Sequence, residues 1–288
     1  VTFTELLKVY VDKDKEKLKN IPGTHFYDHN EKKLYSSPPR PRITDLETIP
    51  SPYLSGVFNN LFDNSKYSWM ITWETNRGCP YKCSFCDWGS AVATKVRKFS
   101  EERLLDEIDF FTEKKVDLVF GADANFGLFP RDREFSLRLA SNKKEKGYPN
   151  QFRVCFNKNS TEKVFELAKI FSDAGMNKGV SISMQSLNAS TLEKIQRKNI
   201  KMKFFNDLQK KYVEAGLVTY TELILPLPGE TYGSFVEGID TLLDSSQHSG
   251  IVIYNCSIMP NAEMGSEDYQ KTHGLDLIEI PIFQAHSD

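Results

Sequence analysis

The sequence predicts an α/β fold: a partial (βα)6 TIM-like barrel with an N-terminal extension. Three observations carry this expectation. From Tyr67 onward, short runs rich in β-branched and aromatic residues alternate with amphipathic segments of helical period, the signature of repeated βα units around a parallel sheet. Residues 1–66, in contrast, are rich in charge, proline and turn formers, as in "SSPPRPRITDLETIPSPYLSG", and show no sustained period. Finally, 288 residues accommodate one barrel-type domain of roughly 200–250 residues plus an extension.

Taken in order, residues 1–66 read as an extension or interdomain linker with one short helix near Thr4 to Leu18. The strand candidates are "WMITWE" (69–74), "DLVFGA" (117–122), "FRVCF" (152–156), "GVSISM" (179–184), "VTYTELIL" (218–225) and "IVIYNCSI" (251–258). All six are expected to run in one direction. Ser100 to Lys115 is the best-defined helix: Ser100 is placed to cap it, Glu101 and Glu102 suit its positive end, and Leu104, Ile108 and Phe111 form its apolar stripe. Further helices are expected over Arg131–Lys146, Ser160–Ala174 ahead of Gly175, Ser190–Arg197, Lys203–Ala215 and Tyr232–Leu243. Residues 67–260 thus form the barrel, and 261–288 a C-terminal segment. The start at Val1 and the abrupt end at "FQAHSD" read as an excerpt of a longer protein, with 261–288 truncated.

Composition excludes several functions. Lys plus Arg number 37 against 39 Asp plus Glu, a net charge of −2, so no global basic field exists to hold nucleic acid. No run of about 18 apolar residues predicts a membrane span, and the N-terminus lacks the order of a signal peptide. A cytoplasmic protein is expected. Five cysteines, an odd number, argue against a disulfide framework and for metal or redox chemistry in a reducing compartment.

Three of the five lie in the loop after the first strand, Thr75 to Phe99, as Cys79, Cys83 and Cys86 in "NRGCPYKCSFCDWG" (76–89). Chemistry in βα folds gathers at the carboxyl ends of the strands, and loops of this length are usually functional or disordered. The spacing C-x3-C-x2-C offers three soft thiolates, enough to wrap one polynuclear centre but one short of a closed four-ligand site. A second C-x2-C or a histidine pair to complete a zinc site does not occur. Three readings stand here: an open 4Fe-4S site, a zinc knob completed by a distant residue, and three unrelated thiols. Cys155 and Cys256 sit singly on strands and read as small buried apolar residues.

C-x3-C-x2-C with an aromatic before the third cysteine, after the first strand of a six-fold βα repeat, resembles the radical S-adenosylmethionine (SAM) superfamily over about residues 67–260. The resemblance implies that Cys79, Cys83 and Cys86 bind a 4Fe-4S cluster whose open iron takes S-adenosylmethionine, which an electron then cleaves to a 5′-deoxyadenosyl radical. Further matches imply S-adenosylmethionine contacts. "GADANFG" (121–127) stands where the family often has Gly-Gly-Glu, putting Gly121, Asp123 and Asn125 near the methionine amine. "SISMQSLNASTLEKIQR" resembles the family's Gln-Ser element, putting Gln185, Ser186 and Arg197 near ribose and carboxylate. "TELILPLPGET" puts Glu222 near the nucleoside hydroxyls, with Pro226 where many relatives have glycine, and Phe85 would pack near the adenine.

"ITDLETIPSPYLSG" (43–56) together with the cysteine loop and "GADANFG" is similar to the subgroup that carries a cobalamin-binding domain upstream. That likeness implies cobalamin-dependent methyl transfer to an unactivated centre of a small molecule or peptide, with cobalamin bound mainly outside this chain, which has no Asp-x-His-x-x-Gly. It also implies an electron donor such as flavodoxin or ferredoxin. The competing expectations are a cobalamin-independent radical enzyme, inserting sulfur or rearranging carbon, and a non-catalytic metal-binding module. For substrate contacts, position alone nominates Asn157, Tyr254 and Asn255.

Overall fold

The computed structural model describes residues 2–63, 66–88, 92–157, 159, 162–177, 179–245 and 250–279. Gly89 at the end of the cysteine motif, Ser160 at the expected start of a helix, and residues 280–288 lie outside the described residues. The chain divides into two units, Val1–Leu46 and Glu47–Asp288.

The first unit holds α1 (Thr2–Asp12), a 3-10 turn over Lys15–Asn20, and the antiparallel hairpin β1 (His25–Asp28) and β2 (Lys33–Ser36). The helix expected from Thr4 to Leu18 stops early, because Lys13 turns to a left-handed φ of 57°. No apolar residue between Val11 and Leu18 is there to hold another turn. The hairpin went unread in the sequence. Its turn is an Asx turn: the Asp28 carboxylate accepts the N–H groups of Asn30 at 2.9 Å and Glu31 at 3.1 Å.

The second unit carries the barrel. Its elements in chain order are α2 (Asn59–Asp63), β3 (Met70–Trp73), β4 (Asn76–Arg77), β5 (Arg97–Lys98), α3 (Glu101–Glu113), β6 (Leu118–Phe126), α4 (Asp132–Lys146), β7 (Gln151–Phe156), α5 (Glu162–Asp173), β8 (Gly179–Ser181), α6 (Ala189–Lys194), α7 (Met202–Glu214), β9 (Val218–Leu225), α8 (Tyr232–Asp244), β10 (Gly250–Asn255) and α9 (Glu267–His273). The six expected strands are present and parallel, in two hydrogen-bonded triplets ordered β3-β6-β7 and β8-β9-β10. Among the described residues the two triplets share no ladder. Among the described residues the first and last strands, β3 and β10, share no ladder either, so the barrel is partial, as the sequence predicts.

The core follows from period-two alternation on the strands meeting helical stripes. Trp73 is buried with its ring edge-on to Phe111, Phe135 and Phe152, centroids 6.0–6.2 Å apart, so one indole joins β3 to α3, α4 and β7. Its Nε1 donates at 2.8 Å to Glu107, a buried carboxylate that also takes Arg103 Nε at 3.0 Å. Arg103 reaches on to the Ile49 carbonyl at 2.6 Å, and Tyr53 stands edge-on to Phe111 at 4.8 Å. Residues 49–53, which carry no periodic signal, are thereby fastened to the outside of the barrel. Burial, helped by the nearby Glu107 charge, pushes the Tyr53 hydroxyl up to about 12.

The expected stripe Leu104, Ile108 and Phe111 is fully buried, but the expected cap differs. Ser100 does not accept from the helix; its N–H and hydroxyl donate to the Glu47 carboxylate at 2.6 and 3.2 Å. The Glu47 carboxylate takes the Ser100 hydroxyl as its donor, and its charge lies near the positive end of the helix. Asn188 is likewise the cap of α6, accepting from Thr191 N at 2.9 Å. Among the described residues no helix is long and apolar enough to cross a membrane.

Phe152 sits at the crossing of Trp73, Phe126 and Phe171. Phe152→Ala should lower unfolding stability by about 3–5 kcal/mol, read by urea denaturation; a loss under about 1 kcal/mol would contradict this packing.

Candidate active site at the cysteine loop

The loop between Thr75 and Phe99 is closed at its neck before any cysteine is placed. β4 and β5 pair antiparallel, Asn76 with Lys98 and Arg77 with Arg97, and Phe99 N donates to the Thr75 carbonyl at 3.2 Å. Two buried ions of opposite sign then hold the neck. The Asp123 carboxylate, at the far end of β6, accepts the backbone N–H of Thr75 at 2.8 Å, that of Asn76 at 3.1 Å, and the Thr75 hydroxyl. Arg131, at the N-terminal end of α4, donates to the carbonyls of Thr75 at 2.8 Å and Phe99 at 2.5 Å. Each polar group receives the partner its charge requires.

Gly78 lets the chain enter the loop. Its φ is +122°, and a Cβ there would stand 2.7 Å from the Lys95 carbonyl oxygen and 2.9 Å from Val96 Cα, so no side chain fits. Cys79 follows, buried, its carbonyl accepting from Thr94 N at 2.9 Å and its sulfur from Asn125 Nδ2 at 3.3 Å. Cys83 and Cys86 are half-buried, and a tight turn joins them, Cys86 N to Cys83 O at 3.1 Å. Between them Ser84 is stapled on both sides: its N–H donates to the Ile195 carbonyl at 3.1 Å and its carbonyl accepts from Met264 N at 2.9 Å. Its hydroxyl meets the Tyr269 hydroxyl at 3.0 Å, which donates to the Lys194 carbonyl at 2.8 Å.

Arg197 lies against this loop, just after α6 in the fourth of the six βα units. Its guanidinium donates to the Ser183 carbonyl, to Asn199 Oδ1 at 3.0 Å and, at a long 3.9 Å, to the Cys83 sulfur. Beside Cys83 opens a cavity of about 850 Å³, lined by Tyr81, Lys82, Leu192, Arg197 and Asn199 among others. Tyr81 donates to Asn157 Oδ1 at 2.9 Å, which occupies that nominated residue with holding the loop.

The other expected residues divide. Gln185 and Ser186 are buried just past β8. Gln185 adopts φ 65° and exchanges backbone bonds with Glu222 and Ile224 at 2.9 and 2.8 Å, while the Ser186 hydroxyl donates to Glu230 and accepts from Asn188 N. Glu222 is half-buried on β9 and accepts from the Ser183 hydroxyl. Its neighbour Tyr220 has its hydroxyl pushed up, by burial first and then by the Glu222 charge. Asn125 and Arg197 thus meet the cysteines directly, and Gln185, Ser186 and Glu222 form one connected group around the ends of β8 and β9.

Three residues stand elsewhere. Asp123 spends its oxygens on the loop neck. Gly121 is required by strand packing, since a Cβ there would meet Val154 Cγ2 at 2.7 Å. Phe85 packs against the apolar cluster of Ile195, Leu227, Met264 and Tyr269. Cys256 joins the same cluster, its thiol pushed up by burial. Arg131, Ser84 and Tyr269 leave no local trace in the sequence; the glycine directly before Cys79 is the one hint of a forced turn.

Burial raises the Asp123 carboxyl to about 6, against the three hydrogen bonds that favour its charged form. A carboxyl whose folded pKa exceeds its unfolded one binds more protons when folded, so its contribution is full below the unfolded value and is lost as pH rises through the folded one. The chain should lose about 3 kcal/mol of stability between roughly pH 4 and 6, a slope that Asp123→Asn removes. Asp123→Ala strands two buried N–H groups, costing about 1–3 kcal/mol each. Urea midpoints taken from pH 4.5 to 7 check both; an unchanged slope in Asp123→Asn would refute the assignment.

Comparison with known proteins follows from this geometry. The family model described as the Radical SAM superfamily matches residues 73–242. A protein described as cobalamin-dependent radical SAM methyltransferase TokK, from Streptomyces tokunonensis, is 41% identical over 278 residues, covering 96% of this chain and 40% of that one. The 2-(S-pantetheinyl)-carbapenam-3-carboxylate methyltransferase of Streptantibioticus cattleyicolor is 42% identical over 240 residues, 82% of this chain and 35% of that one. The chain therefore spans at most about two fifths of the length of these relatives. In fold it is similar to TsrM from Kitasatospora setae, a radical S-adenosylmethionine methyltransferase solved with cobalamin and a 4Fe-4S cluster, at a TM-score of 0.62 and 16% identity over 92% of this chain and 51% of that one. Coproporphyrinogen III oxidase from Escherichia coli shares the fold at 0.52, with 16% identity over 73% of this chain and 50% of that one.

Proposed function

Because this chain belongs to the radical SAM superfamily, we propose that it forms the catalytic core of a cobalamin-dependent methyltransferase acting on an unactivated centre of a small molecule or peptide. The observation that carries this reading is the three-thiol loop in a chain similar, along most of its length, to two methyltransferases. Cobalamin itself is assigned to residues outside this sequence. The reading includes a low-potential donor such as flavodoxin or ferredoxin, and a reducing, cytoplasmic setting.

The donor set fits a 4Fe-4S cluster. Cys79, Cys83 and Cys86 are soft ligands on one braced loop, and two of their sulfurs accept hydrogen bonds, from Asn125 and Arg197, as ligating thiolates do. When bound, the cluster and S-adenosylmethionine supply the one-electron and group-transfer chemistry.

This chain's own residues bind and position. Asp123 and Arg131 fix where the loop leaves the barrel, and Asn125 ties the Cys79 sulfur to β6. Arg197 sets positive charge beside Cys83 and is suited to pair with a carboxylate. Gln185, Ser186 and Glu222 supply acceptors and donors for a nucleoside at the ends of β8 and β9. Gly121 brings the backbone of β6 close to its neighbours, and Phe85 sets an aromatic ring between the second and third cysteines, where it is suited to pack near an adenine.

The full-length protein, reconstituted anaerobically, should carry about four irons at this site and release 5′-deoxyadenosine from S-adenosylmethionine under reduction. Cys79→Ala, Cys83→Ala and Cys86→Ala should each abolish both, while Cys155→Ala and Cys256→Ala keep both. Release of 5′-deoxyadenosine at the parent rate by Cys83→Ala would refute the cluster reading; a methylated product formed equally without cobalamin would refute the cobalamin part alone.

A further inference from the structure

We propose that Asn125 sets the reduction potential of the iron-sulfur cluster by donating its side-chain amide to the Cys79 sulfur. The inference rests on the reading that Cys79, Cys83 and Cys86 hold that cluster. It gives Asn125 an electronic task beyond holding the loop in place.

Two residues of β6, two positions apart, project toward the cysteine loop, and each carries the polarity its partner requires. Asp123 accepts the N–H groups of Thr75 at 2.8 Å and Asn76 at 3.1 Å, while Asn125 Nδ2 donates to Cys79 Sγ at 3.3 Å. An acid therefore meets the donors of the neck, and an amide meets the sulfur. Cys79 cannot swing away from that amide, because Thr94 pins its backbone on both sides: Cys79 N donates to Thr94 Oγ1 at 3.4 Å, and Cys79 O accepts from Thr94 N at 2.9 Å.

Chemistry fixes which end of the amide faces the sulfur. A thiolate bound to iron has no proton to give, so it must face the NH₂ group and not the carbonyl oxygen. Burial then makes this donor hard to replace. Cys79 and Asn125 are both buried, whereas Cys83 and Cys86 are half-buried. Solvent reaches the second and third cysteines in part; the first depends on the protein. Among the described residues its sulfur accepts from Asn125 alone.

The sign of the effect follows from charge. Reduction moves one electron from a low-potential one-electron donor onto the irons and their sulfurs; no bond breaks and no proton moves. The reduced form is the more negative, so an N–H group on a ligating sulfur stabilises it more than the oxidised form and raises the potential. Low local dielectric strengthens the contact, since both partners lie away from water. Removing the donor should therefore make the cluster harder to reduce. A residue that only braced the loop would instead affect iron retention and folding, and would leave the potential where it was.

The test uses the full-length protein with its cluster reconstituted anaerobically, titrated with dithionite and redox mediators while EPR reads the reduced cluster. Asn125→Leu keeps the shape of the side chain and removes the donor; Asn125→Asp keeps the shape and sets an acceptor against the sulfur. Both should bind about four irons. The reduction equilibrium of Asn125→Leu should be about tenfold less favourable than the parent's, about 59 mV lower for one electron, and that of Asn125→Asp lower still. Asn142→Leu, which removes a buried α4 amide bonded to Asp109 and Thr112, should titrate at the parent potential. One measurement needs no change in the parent sequence: with nitrogen-15 in its asparagine side chains, the reduced parent should show a nitrogen coupling by pulsed EPR that labelled Asn125→Asp lacks. Parent-like potentials in both Asn125 variants would overturn the proposal, as would the absence of that coupling from the parent. Should neither variant take up iron, the parent's nitrogen signal decides alone. A parent that takes up no iron would overturn the cluster reading itself, a result separate from an iron-loaded protein whose potential ignores Asn125.

Discussion

Everything proposed for this protein depends on a clamp around one residue. Thr75 is the last position before the chain leaves the barrel, and both of its backbone groups are taken by buried ions: its N–H by Asp123 and its carbonyl by Arg131. Neither ion pairs with the other as a simple salt bridge. Each instead spends its charge on peptide dipoles, which compensates two desolvated ions with hydrogen bonds and fixes the direction of a long loop. A loop of this length held by apolar contacts alone would have many exits of similar energy.

From that fixed neck the three cysteines inherit their positions in sequence. Cys79 is set by Gly78 and Asn125, and Cys83 and Cys86 by the turn around Ser84. The tightest restraints are on backbone atoms and on the first cysteine, while Cys83 keeps a half-exposed face on the cavity. Rigid support and open access are thus divided between the two ends of one short motif. The same division runs through Arg197, whose carbonyl and amide contacts anchor it to Ser183 and Asn199 while its remaining nitrogen reaches the Cys83 sulfur.

The six strands and the cysteine loop were legible because each leaves a local trace: β-branched runs of fixed length, and an improbable spacing of soft ligands. The neck was not. Asp123 reads as a polar residue facing a ligand, since its partners 47 and 48 residues away are backbone groups that any residue would supply. Arg131 is silent for the same reason, its partners being carbonyls. Ser100 reads as a side-chain cap because Glu47, to which its hydroxyl donates instead, lies 53 residues earlier in a stretch without period. Phe85 and Gly121 carry a second constraint that a motif does not display: each also packs against residues distant in sequence, Phe85 against Ile195, Leu227 and Met264 and Gly121 against Val154.

The staple at Ser84 has a consequence for the order of events during biosynthesis. The turn between the second and third cysteines closes on itself through Cys86 N and Cys83 O, but it is fastened to the barrel by Ile195 and Met264, and its hydroxyl contact, Tyr269, lies 185 residues downstream. While the ribosome is still making the second half of the barrel, the motif exists as a sequence but not as a shape. The fastened form of the motif therefore requires the chain through Tyr269, and a cluster proposed to sit on these cysteines would find its cradle braced only after that stretch has been made.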